Sequence, residues 1–225
     1  QLVPQFAQQG GDISEAQIQK EGSWPVGARL LHFVEEWKLI TTDPWVLDII
    51  SQGLKFTWVN RPPPLMNIPF VTHVQGERKD ILISAIEELF EKGALDRVRD
   101  YKENPGYYSP YFLVPKKDGS LRPILNLKQF NQYVVCDKFR METLANILDT
   151  LEQGDWIYAI DLKDAYLHVP IHVDFQKYLR FAYRDNLDQI QVFQWKVLPF
   201  GLSMSPRVFS KVLLPIVKHM HTQGS

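Results

Sequence analysis

Two aspartates three residues apart, Asp161 and Asp164, are the residues whose type and spacing bear most directly on chemistry. They stand in Ala159-Ile160-Asp161-Leu162-Lys163-Asp164-Ala165-Tyr166, where an apolar run ends in carboxylates and an aromatic follows. Hard carboxylate oxygens suit magnesium, which binds through one or two protein carboxylates plus substrate phosphates rather than through a full protein cage. Taken alone, the octapeptide also reads as a turn capped by its two aspartates. A second group, Phe112 to Arg122, places Lys116, Lys117 and Arg122 on one turn-tipped segment able to grip a triphosphate. Mixed charges are equally ordinary on a solvated turn. The third, Leu198-Pro199-Phe200-Gly201-Leu202-Ser203-Met204-Ser205-Pro206, is a turn into a helix whose glycine lets a backbone or base approach closely. A plain loop and cap is the alternative there.

Positioning these groups takes a mixed set of elements, an α+β order. Leu30, Leu31, Phe33, Val34, Trp37 and Ile40, then Trp45, Val46, Ile49 and Ile50, predict two short amphipathic helices, with Thr42-Asp43-Pro44 as stop and restart. Residues 76–93 predict a helix with Ile81, Ile83, Ile86, Leu89 and Phe90 inward and Gly93 as its stop. Strands are expected over 111–116 and 121–127 around Asp118-Gly119, and over 178–183 and 190–197 around Arg184-Asp185-Asn186. A helix is expected over 141–151 and a short apolar strand over 156–162, ending in Asp161. Ser205-Pro206 predicts an N-cap and first-turn proline for a helix with Val208, Phe209, Val212, Leu213, Ile216 and Val217 inward. The polar, Gln-rich residues 1 to about 25 read as a linker, and Arg61-Pro62-Pro63-Pro64 marks a boundary. The division is 1–64, a linker and helical extension, and 65–225, the main domain.

The chain has 225 residues with 45% hydrophobic content, enough to bury a real core and to exclude disorder as its main theme. With 25 Lys and Arg against 26 Asp and Glu, the formal charge is −1, so nucleic-acid binding must rest on local patches. The single cysteine, Cys136, forms no internal disulfide, and without a Cys-x-x-Cys pair a structural zinc site is not expected. An intracellular location follows, cytoplasm or nucleus. The aliphatic run at Val212 to Val217 is too short for a membrane span and is interrupted by Pro215. His168 and His172 flank Pro170, so they do not share a helical face as ligands would. Gly201 to Ser205 has the outline of a nucleophile elbow, but a helix cap explains it better.

Together, in this order and spacing, the three groups resemble the reverse transcriptase family, where they correspond to the fingers hairpin, the first catalytic strand and the template-grip turn. The resemblance covers Ile81 to Met220. Asp-Leu-Lys-Asp-Ala-Tyr with Leu-Pro-Phe-Gly-Leu is most similar to gypsy-related elements, particularly the DIRS-like group, and so is Thr42 to Leu47. It implies a right-hand polymerase fold, fingers plus part of the palm, and RNA-directed DNA polymerase activity. Deoxynucleotides would be added to a primer 3′-hydroxyl by two-metal catalysis with magnesium.

By that resemblance Asp161 is a ligand shared by two magnesium ions, and Leu162 lends its carbonyl to a metal. The amides of Asp164 and Ala165 meet phosphate oxygens, and Tyr166 is the ring that rejects a 2′-hydroxyl. Lys116 or Lys117, with Arg122, neutralises the triphosphate. Phe200 and Gly201 lie beside the nucleotide base and the template. The implied partners are an RNA or DNA template-primer and deoxynucleoside triphosphates, and the implied parent is a polyprotein that commonly carries ribonuclease H. The family's second motif, an aromatic followed by x-Asp-Asp, is expected beyond Ser225. Without that motif the chain by itself is expected to be inactive, and because it opens with Gln1 rather than Met and closes on Thr222 to Ser225 just after an apolar helical pattern, both ends look cut. A non-catalytic, retroelement-derived protein that binds nucleic acid or a partner is the competing reading.

Overall fold

The computed structural model describes residues 24–115, 119, 121–140 and 161–223. Of the first expected helix only α1 (Val34–Ile40) is α-helical: Arg29–His32 is a 3₁₀ turn, and Leu31, expected inward, is exposed, whereas helix α2 (Pro44–Gln52) forms as its periodicity predicts. Asp43 caps α2, its carboxylate accepting from the Trp45 amide at 2.9 Å and the Val46 amide at 3.4 Å, with Pro44 in the first turn. Val46, Ile49 and Ile50 share the buried face that this spacing dictates.

Helix α3 (Glu77–Glu91) is followed by Gly93 in the left-handed region, φ +72°, the conformation that ends helices at glycine. Its buried residues are Leu82 and Ile86, flanked by the half-buried Ile83 and Leu89. Ile81 and Phe90, expected inward, are exposed: positions 82, 86 and 89 already form the i, i+4, i+7 stripe against the sheet, and 81 and 90 lie just beyond its edges.

Six strands are described: β1 (Val71–Thr72), β2 (Leu95–Arg97), β3 (Tyr111–Pro115), β4 (Leu121–Leu125), β5 (Arg180–Arg184) and β6 (Ile190–Trp195). Four build one sheet in the order β1-β5-β6-β2, with β1 and β5 parallel and the other pairs antiparallel. The β5–β6 hairpin forms where alternation predicts it, Arg180 opposite Gln194 and Arg184 opposite Ile190. Its turn is longer than Arg184-Asp185-Asn186. Asp185 accepts from the Leu187 and Gln189 amides, both at 2.9 Å, and Asp188 takes a left-handed φ of +59°. Strands β3 and β4 form a separate two-stranded ladder, Tyr111 opposite Leu125 and Val114 opposite Arg122.

A single helical turn, α4 (Val173–Gln176), precedes β5, and the long helix α5 (Ser205–Gln223) closes the described chain. Val208 and Val212 are buried in α5 and Phe209 and Ile216 pack beside them, whereas Val217, expected inward, is exposed. Ser205 is itself helical, and its hydroxyl donates to the Pro199 carbonyl at 3.0 Å. The expected N-cap is thus a tie across the preceding turn. Lys211 lies 4.0 Å from the Trp45 ring centroid, joining α5 to α2.

One apolar core runs through the molecule, from Trp37, Ile50 and Phe56 in the N-terminal helices and the segment after them to Phe130, Ile171, Phe181 and Val212. It is continuous across the Arg61 to Pro64 segment. Arg180 is buried within this frame. It donates from Nε to Gln194 Oε1 at 3.1 Å and from a terminal nitrogen to the Asn104 carbonyl at 2.6 Å. The expected helix over 141–151, and residues 156–160 of the expected strand, lie outside the described residues. Asp161 and Leu162 stand in an irregular segment.

Candidate active site

The segment leaving that irregular stretch turns sharply at Asp164. A φ of +54° puts Asp164 in the left-handed region, which an aspartate tolerates better than most residues, and a 3₁₀ turn follows over Ala165–His168. The Leu167 amide donates back to the Asp164 carbonyl at 2.8 Å. Among the described residues, the amides of Asp164 and Ala165 donate to no other group. The Asp164 carboxylate receives the Lys92 ammonium at 3.1 Å. Asp161 and Leu162, just upstream, are exposed.

Tyr166 points from this turn into an aromatic group. Its ring centroid lies 5.0 Å from that of Phe200 and 5.3 Å from that of Phe209 on α5. Burial raises the Tyr166 hydroxyl above its ordinary value, so the ring is neutral at physiological pH. Phe200, by contrast, is 62% exposed. Gly201 has φ +94°, and a Cβ there would lie 3.0 Å from the Leu125 carbonyl, so the turn needs glycine for both conformation and space. Asn131 clamps the same turn, donating from Nδ2 to the Gly201 carbonyl at 2.9 Å and accepting from the Ser203 amide at 3.0 Å.

Arg122 is exposed on β4, and with Phe200 and Gly201 it lines a cleft of about 570 Å³ between α3, the β3–β4 ladder and the Phe200–Gly201 turn. Ile124, Leu125 and Trp195 give the cleft an apolar floor. The fold thus brings Tyr166, Phe200, Gly201 and Arg122 to one side of the molecule, with Asp164 and Ala165 at the adjoining turn. Lys116 and Lys117 lie outside the described residues. Among the described residues, no three His, Cys, Asp or Glu side chains converge as a metal cage. An exposed carboxylate beside a main-chain carbonyl, Asp161 with Leu162, is still a donor set that fits magnesium completed by phosphate oxygens.

Sequence reasoning passed over Lys92 and Asn131. Lys92 reaches Asp164 across 72 positions and Asn131 reaches Gly201 across 70, and no local pattern encodes such pairings. The glycine after Lys92 was the nearest signal, since it places that lysine at a helix end.

Residues 114–224 match the family model described as "Reverse transcriptase (RNA-dependent DNA polymerase)". Polyproteins of viruses and transposons are among the proteins similar to the chain. The Gag-Pol polyprotein of bovine immunodeficiency virus is 26% identical over 147 residues, 64% of this chain and 10% of that protein. The genome polyprotein of petunia vein clearing virus is 30% identical over 98 residues, 44% of this chain and 4% of that protein. The transposon Tf2-7 polyprotein of Schizosaccharomyces pombe is 28% identical over 115 residues, 50% of this chain and 8% of that protein. The chain spans a small part of each relative's length. No described helix is long and apolar enough to cross a membrane.

Proposed function

We propose that the reverse transcriptase domain contained in this chain supplies the nucleotide-binding side of an RNA-directed DNA polymerase site. The supporting observation is the approach of two turns 34 positions apart in sequence, with Tyr166 against Phe200 at 5.0 Å and Arg122 on the cleft that Phe200 lines. That is the arrangement needed to hold a base, a sugar and a triphosphate side by side.

Asp161 and the Leu162 carbonyl would hold magnesium, whose charge, when bound, offsets that of the triphosphate and favours ionisation of the primer 3′-hydroxyl. The chain's own residues do the positioning. The Asp164 and Ala165 amides donate to phosphate oxygens, and Arg122, with Lys116 or Lys117, neutralises the triphosphate, its guanidinium engaging two oxygens at once. Tyr166, braced by Phe200 and Phe209, lies under the sugar and leaves no room for a 2′-hydroxyl. Gly201 keeps the turn low enough for the template to pass. The parent polypeptide then copies RNA into DNA on a template-primer. The Asp161 to Tyr166 and Leu198 to Leu202 wording favours a gypsy-related, DIRS-like element as its source.

Equilibrium binding of a fluorescent deoxynucleoside triphosphate with magnesium tests this reading on the chain itself. Binding is expected to weaken about tenfold in Arg122→Ala, the loss of one charge-assisted pair. Binding indifferent to Arg122 and to magnesium would sink the nucleotide reading. Retained binding of template-primer would then favour a non-catalytic nucleic-acid-binding role.

A further inference from the structure

Behind the Asp164–Tyr166 turn stands a support that the reaction itself does not call for. Lys92, just past α3, places its ammonium 3.1 Å from the Asp164 carboxylate and 2.8 Å from Glu88, and its side chain is only 25% exposed. Two main-chain bonds from one strap brace the same corner. The Gly27 amide donates to the Lys92 carbonyl at 2.7 Å, and the Ala28 amide donates to the Leu167 carbonyl at 2.8 Å. The strap passes so close that a Cβ on Gly27 would lie 2.1 Å from the Gly93 carbonyl oxygen. Ala28 itself takes a left-handed φ of +58°. Strained conformations at Ala28 and Asp164 persist only where the surroundings over-determine them, and here an ion pair and two main-chain hydrogen bonds do so.

We propose that Lys92 is a positioning residue for nucleotide binding: it holds Asp164 by its carboxylate, and so fixes the turn whose amides face the triphosphate and whose Tyr166 sets sugar selectivity. This rests on the nucleotide reading given above. Lys92 has two effects. It removes the turn's freedom to relax out of the left-handed conformation, and it offsets a carboxylate that would otherwise repel the triphosphate beside it. Lys92 touches no reacting atom. Its contribution passes through Asp164.

The test compares the wild-type chain with Lys92→Met, Lys92→Arg and the double variant Lys92→Met, Asp164→Asn. Two quantities are read: amide hydrogen exchange over residues 164–168, and the dissociation constant for a fluorescent deoxynucleoside triphosphate with magnesium. Lys92→Met is expected to speed exchange over 164–168 while leaving β5 and β6 unchanged, and to weaken nucleotide binding roughly three- to tenfold. Lys92→Arg restores both, because it keeps the charge. The double variant recovers part of the binding without slowing exchange, since only the repulsive charge is gone. Wild-type exchange and affinity in Lys92→Met would overturn the inference. Absence of nucleotide binding in the wild type would overturn the reading it rests on, while the exchange measurement still decides whether Lys92 holds the turn.

Discussion

At the scale of single residues, Tyr166 and His168 sit on the same turn and make opposite demands on it. Tyr166 packs its ring against Phe200 and Phe209, and in the proposed role it is this ring, not the hydroxyl, that meets the sugar. Tyr166→Phe should therefore keep discrimination against ribonucleotides, and Tyr166→Ala should lose at least about tenfold of it, the worth of one steric contact. The ratio of deoxynucleotide to ribonucleotide affinity measures this, and equal ratios in both variants would contradict it. His168 lies with Nε2 3.3 Å from the Lys163 carbonyl. Burial holds its pKa below the ordinary value and Arg29 adds to the effect, against the opposing pull of the Lys163 carbonyl and Asp164. The folded protein thus holds this proton less tightly than the unfolded chain. Its contribution to stability is complete above the unfolded value of about 6.5 and is lost as pH falls through that value toward the lower folded one. Urea midpoints of His168→Gln should fall less steeply than wild type between about pH 7.5 and pH 5; parallel slopes would count against the assignment.

At the scale of elements, the Phe200–Gly201 turn is held by its own glycine and by Asn131. Gly201→Ala forces a Cβ into a left-handed conformation against the Leu125 carbonyl and should cost about 1–2 kcal/mol. Asn131→Ala removes two hydrogen bonds from a partly exposed site and should cost about 1–2 kcal/mol. Because both act on one turn, their double variant should cost less than the sum. Denaturant midpoints report all three, and strict additivity would mean that the two hold separate structures. Elements of this kind divide by how far their information lies along the chain. The hairpin of β5 and β6 and the capped start of α2 were legible, since alternation, an Asp-Asn turn and Asp43-Pro44 are all local. Which face of α3 turns inward was not, because Ile81 and Leu82 are equally apolar and only the sheet beneath chooses Leu82. The aspartates and aromatics of the candidate site were visible as residue types; the supports from Lys92 and Asn131 arise from tertiary folding alone.

At the scale of the whole molecule, one core ties the N-terminal helices to the sheet and α5, which predicts a single cooperative unfolding transition for the described chain. Ile50 on α2 is fully buried in that core, so Ile50→Ala should lower stability by about 2–5 kcal/mol. Its effect should appear equally in far-ultraviolet circular dichroism and in tryptophan fluorescence. Two separated transitions would show that the helices fold apart from the sheet. The polymerase account finally depends on Asp161, and the most direct measurement is magnesium-dependent primer extension by a polypeptide that continues this chain through an aromatic-x-Asp-Asp motif, with and without Asp161→Asn. Template-directed incorporation that falls by at least about 10³-fold in the variant is the predicted result, the loss of about 4 kcal/mol of transition-state stabilisation. Incorporation that survives Asp161→Asn would contradict the account.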